Sequence, residues 1–134
     1  MRARLIVCDT CRYSAEEKLS PDGLTGGGIL AGHIEALAGS GGSIAVFRHS
    51  CLMGCEHACN VALSQKGKFT YVLGGFRPDT EAAEAIVDFA RKYAASGSGQ
   101  VPYRTWPQGV KGHFISRVPD LSGEDVPTGG GGVG

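Results

Sequence analysis

Two short apolar runs, R-L-I-V-C at 4–8 and I-A-V-F-R at 44–48, flank a stretch with helical periodicity. This spacing constrains the fold more than any other feature of the chain. Each run has the length of a strand. Between them, I-L-A-G-H-I-E-A-L-A at 29–38 repeats apolar residues at Ile29, Leu30, Ile34, Leu37 and Ala38. That pattern predicts a helix, ended by Gly39 and Gly41. Residues 12–28 are polar and rich in glycine and serine and read as loop, with 20–28 on the surface. A strand–helix–strand unit makes a right-handed crossover, so both strands lie parallel in one sheet. Their C-terminal ends then meet at one edge. Cys8 closes the first run and Cys51 follows the second, so this topology joins two cysteine groups that are far apart in sequence.

The second half supplies a hairpin and a closing helix. N-V-A-L-S at 60–64 and K-F-T-Y-V-L at 68–73 read as strands joined by Q-K-G. A helix then starts at Asp79 or Thr80, either of which suits an N-cap, with Glu81 and Glu84 in its early turns. Ala83, Ile86, Val87, Ala90 and Tyr93 form its apolar face, and Gly97 stops it. The expected fold class is α/β, a thioredoxin-like mixed sheet in the order β-α-β-β-β-α with helices packed on it. Residues 1–96 form this domain. Residues 97–119, with Tyr103, Trp106 and Phe114, are an extension that packs on the domain or docks a partner. Residues 120–134 are a Gly-rich flexible tail.

Five cysteines carry the chemistry, as C-D-T-C at Cys8 and Cys11 and C-L-M-G-C-E-H-A-C at Cys51, Cys55 and Cys59. An odd count leaves one thiol over in any fully paired disulfide scheme. Four thiolates suit zinc or an iron–sulfur cluster. A [2Fe-2S] cluster takes two thiolates per iron, and its ligands can come from two separate loops. Gly54 lets the second loop turn closely and offer backbone N–H groups. A thiol–disulfide redox protein using Cys8 and Cys11 is a second reading. It leaves the three later cysteines without a role, and a long stretch separates Cys11 from the expected helix. Single buried cysteines of purely structural use are common, but five are not.

The run C-L-M-G-C-E-H-A-C-N-V-A-L, followed by Y-V-L-G-G-F-R-P-D-T and a closing helix, resembles the thioredoxin-like [2Fe-2S] ferredoxins and the matching domain of a respiratory NADH dehydrogenase subunit. The resemblance implies a non-enzymatic one-electron carrier that meets a redox partner protein, with a homodimer possible. It matches Cys51, Gly54 and Cys55 to the second ligand segment and Cys8 to the first ligand, with Gly75 and Pro78 a weaker match. Cys11 then fills the remaining ligand position at unusually close spacing. Cys59 is an extra ligand or spare thiol. The whole cysteine pattern is similar to an uncharacterised bacterial family of short metal-binding proteins whose genes accompany those of cobalamin biosynthesis.

Other classes have less support. Thirteen basic residues balance thirteen acidic ones, which gives no electrostatic case for nucleic acid or an anionic membrane. No apolar run approaches the roughly 18 residues of a membrane span, and no secretory signal opens the chain, so a cytoplasmic location is expected. His57 lies within the second cysteine group, where it suits a hydrogen bond to a ligand. His49 flanks that group, while His33 and His113 lie apart from it. Asp9 and Glu56 adjoin cysteines but form no acid–base pair, and no nucleophile–base set emerges.

Overall fold

The computed structural model describes residues 2–11, 13, 16–39, 42–50 and 59–119. Five strands form one mixed sheet in the order β2-β1-β3-β4-β5. They are β1 (Ala3–Cys8), β2 (Ile44–His49), β3 (Val61–Ser64), β4 (Thr70–Leu73) and β5 (Phe114–Val118). Helix α1 (Gly26–Ala38) connects β1 to β2, and α2 (Thr80–Ala95) follows β4. β1 and β2 are parallel, with Cys8 opposite His49. β3 runs antiparallel to β1 and β4 antiparallel to β3. The expected α/β order is therefore present, and β5 extends the sheet beyond it.

Alternation explains the layering. Ala3, Leu5 and Val7 of β1, Val61 and Leu63 of β3, and Tyr71 and Leu73 of β4 are buried on one face. α1 and α2 pack there with Leu30, Ala31, Ile34, Ile86, Phe89 and Ala90. On the other face, Phe47, Ile6, Ala62 and Val72 stand side by side in one row of the register. Phe47 is exposed and its neighbours are half-buried.

α2 matches its sequence signals closely. Asp79 is the N-cap, its carboxylate accepting from the Ala82 N–H at 2.8 Å. All five expected apolar positions are buried. Its C-terminal carbonyls have a partner that periodicity does not reveal. Lys68 Nζ donates to the Tyr93 and Ala94 carbonyls at 3.0 and 2.9 Å, which satisfies orphaned acceptors and places a cation at the negative end of the helix.

α1 begins earlier than its apolar periodicity suggests. Gly26–Gly28 are its first turn, and Gly26 and Gly27 are buried, so the surface loop ends at Thr25. Thr25 caps the helix by accepting from the Gly28 N–H at 3.0 Å, and its hydroxyl donates to the Asp9 carbonyl at 2.5 Å. The glycines are required by proximity. A Cβ on Gly27 would lie 1.9 Å from the Cys8 carbonyl oxygen.

The extension packs against the domain. β5 pairs antiparallel with β4 across a register irregularity at Val72 and Leu73. Phe114 meets Tyr71, Phe89 and Trp106 with ring centroids 5.5, 5.2 and 4.4 Å away. Val101 and Val110 join the core. The Trp106 indole N–H donates to the Val101 carbonyl at 2.8 Å, so the half-buried ring packs without an unsatisfied donor.

Two glycines in one helix should respond oppositely to alanine. Gly27→Ala forces backbone apart at the end of β1 and should cost about 3 kcal/mol or more. Gly32 is exposed in mid-helix with nothing near its absent Cβ, so Gly32→Ala should gain about 0.5–1 kcal/mol. Urea denaturation of the reduced, metal-free protein measures both.

Candidate thiol site

The C-terminal end of β1 holds the C-x2-C loop between two neighbours. The Asp9 N–H donates to the His49 carbonyl on the β2 side, and the Cys8 N–H donates to the Asn60 carbonyl on the β3 side, both at 3.0 Å. The Thr10 hydroxyl donates to the Ser50 carbonyl. The first turn of α1 closes the loop from the helix side, with the Gly27 N–H donating to the Cys11 carbonyl at 3.2 Å. The ladder thus continues past the strand ends, and the loop has little freedom to move.

Cys8, Cys11 and Cys59 come together there. They are 2%, 5% and 0% exposed, so none presents its sulfur freely to solvent. Cys8 and Cys11 are hydrogen-bonding neighbours, and both act electrostatically on Cys59. Asn60 donates twice to the Cys11 Sγ, from its backbone N–H at 3.4 Å and from Nδ2 at 3.6 Å. Cys59 adopts a left-handed backbone, φ 58°, which is uncommon for a residue with a Cβ. Such a conformation at a buried thiol is strain held in place by the surrounding structure.

Burial governs the protonation of Cys11 and Cys59. It pushes Cys11 above the ordinary thiol value, while the Asn60 backbone N–H works against it and contact with Cys8 adds to it. Cys59 is pushed up to about 12, first by burial and then by the charges of Cys11, Cys8 and Asp79. Asp79 caps α2, so its influence places the N-terminus of that helix near the same group. The first turn of α1 lies on the same side, with its Gly27 N–H on the Cys11 carbonyl, and its partial positive charge favours anionic sulfur there.

Cys51, Gly54, Cys55 and His57 lie outside the described residues. Their stretch is anchored at Ser50 and Cys59, and both anchors stand beside the C-x2-C loop. Among the described residues, no group of three or more His, Cys, Asp or Glu side chains is arranged to hold a metal ion. Of the histidines of the described part, His33 and His113 lie apart from the thiols, while His49 pairs with Cys8 in the sheet. His113 adjoins the start of β5, stacked on Phe76 at 4.3 Å with Nδ1 2.9 Å from the Gly74 carbonyl. β3 and β4 separate it from Cys8. His33 is on α1, and His49 gives its carbonyl to the loop.

Sequence reasoning missed Thr25, Gly27 and Asn60. Thr25 had a signal, a good capping residue just ahead of the helix. Gly27 and Asn60 had none, because their importance comes from what the fold brings against them.

The profile of a family described as "Protein of unknown function (DUF1636)" matches residues 5–120. The chain belongs to this family. Its matched range takes in all five cysteines, both helices and the sheet apart from the first two residues of β1. No curated protein and no solved structure matches the DUF1636 chain. No described helix is long and apolar enough to cross a membrane.

The buried thiol has a consequence in alkali. In the unfolded chain Cys59 titrates near its ordinary value of 9.0, whereas the native state keeps its proton up to about 12. Between those values the unfolded state binds fewer protons than the native state. Stability should therefore fall as pH rises from 9 towards 12, by up to about 1.4 kcal/mol per pH unit from this group. Denaturation of the reduced, metal-free protein across that range should show this component in the wild type and lose it in Cys59→Ala.

Proposed function

We propose that this protein binds a [2Fe-2S] cluster through Cys8, Cys11, Cys51 and Cys55 and transfers single electrons to a redox partner protein. The observation that carries the reading is the meeting of Cys8, Cys11 and Cys59 at the sheet edge where both anchors of the Cys51–Cys55 stretch also stand. When bound, such a cluster supplies one-electron chemistry. The chain's own residues would hold it on two loops, shield it from water and direct N–H groups towards sulfur. The described thiols alone make no metal-holding set, so the proposal requires Cys51 and Cys55.

The environment also favours Cys11 over Cys59 as the remaining ligand. A ligand thiol must lose its proton. Cys11 has two N–H donors aimed at its sulfur, which stabilise the thiolate. Cys59 is fully buried beside other acidic groups that hold its proton on. It fits the role of spare thiol.

Zinc held by the same cysteines, in a structural or delivery role, is the alternative with the same donors. Thiol–disulfide exchange gains one observation, since the first turn of α1 abuts the C-x2-C loop. Burial works against it, because a thiol pushed upward and shut away from solvent is a poor nucleophile.

Metal and sulfide analysis tests the proposal. Protein made with iron and sulfide available should carry two irons and two acid-labile sulfides per chain, with a one-spin signal on reduction. Cys11→Ser, Cys51→Ser and Cys55→Ser should each abolish or shift its absorbance, and Cys59→Ser should leave it largely intact. One tightly bound zinc in a colourless protein would reject the cluster and favour the alternative.

A further inference from the structure

Asn60 is 1% exposed and polar, at the junction of the thiol site and β3. A buried amide without hydrogen bonds is destabilising, so its partners matter. Its carbonyl accepts from the Cys8 N–H at 3.0 Å. Its backbone N–H and its Nδ2 both donate to the Cys11 sulfur, at 3.4 and 3.6 Å. One residue thus holds the backbone of one cysteine and the sulfur of the other. A protonated thiol is only a weak acceptor. Two N–H donors converging on one sulfur suit a sulfur that carries charge, as a thiolate bound to a metal does.

We infer that Asn60 is a positioning residue for Cys11, fixing the direction of its sulfur and withdrawing charge from it when it serves as a ligand. This rests on the cluster reading above. Adding an electron to a thiolate-held cluster places more negative charge on its sulfurs. N–H donors stabilise that reduced form more than the oxidised one, so they raise the reduction potential. Removing the Nδ2 donor must lower it. Replacing that donor by a carboxylate oxygen at the same place must lower it further, because like charges then face each other.

The test uses the full chain, reconstituted with iron and sulfide, as wild type, Asn60→Leu and Asn60→Asp. Both variants keep the branching and heavy-atom count of the asparagine side chain and the backbone N–H, and Asn60→Asp, which also keeps the volume, remains informative if Asn60→Leu does not fold. The expected result is an unchanged count of two irons per chain and a graded negative shift in midpoint potential. At the wild-type midpoint the reduced-to-oxidised ratio should fall roughly tenfold in Asn60→Leu, about 59 mV for a one-electron couple, and further in Asn60→Asp. A purely structural role would lower stability without this ordered shift in potential. Iron bound normally with the potential unchanged in the variants overturns the role of Asn60 and leaves the cluster reading standing. A wild type that takes up no iron overturns both.

Discussion

The rest of the structure depends on the close approach of the first turn of α1 to the end of β1. With glycine at 27 the helix seats directly on the Cys8 carbonyl, and its N–H reaches the Cys11 carbonyl. Thr25 adds a second tie through Asp9. The helix start, the strand end and the cysteine loop are therefore one rigid corner. A Cβ at that point would lift the helix, and the loop would lose the contact that shuts its thiols away from water. The crossover to β2, which sets the parallel pair, begins from the same corner.

Burial then decides the chemistry open to the thiols. Sulfur at this edge is screened from solvent, which raises the cost of thiolate formation and slows reaction with oxidants or electrophiles in water. The compensating charge is local. The N-terminus of α1 and the paired N–H groups of Asn60 offer positive partial charge on the side where anionic sulfur would form. On the proposed reading, sulfur here gives up its proton to a bound metal rather than attacking a substrate. Cys59 belongs to the same group, has no such N–H donor among the described residues, and pays in backbone strain for its place there.

The second half of the chain stabilises the edge from a distance. β4 carries Leu73 beside Val61 and so sets the start of β3, which follows Cys59 and Asn60 directly. α2 is tied at both ends, by Asp79 at its start and by the buried ammonium of Lys68 at its finish. The extension adds β5 and an aromatic cluster around Phe114, which covers the end of the core that the domain's own elements leave open.

Local pattern alone determined much of this. The periodicity of α2, its acidic cap, the two parallel strands and the hairpin are readable because each depends on neighbours three, four or two positions away. The meeting of the C-terminal ends of β1 and β2 follows from the parallel pairing that a helical crossover imposes, which is a property of the element order and needs no coordinates. Other features became visible only in three dimensions. G-G-G at 26–28 has the composition of a loop, and it is helix because a strand end from elsewhere in the chain leaves no room for a Cβ. Residues 114–118 carry no strong strand alternation, and they form a strand because β4 offers them an unpaired edge. Asn60 looks like an ordinary polar residue before a strand. Its role emerges from Cys11, forty-nine positions earlier, because a hydrogen bond between distant segments leaves no mark in the spacing of either one.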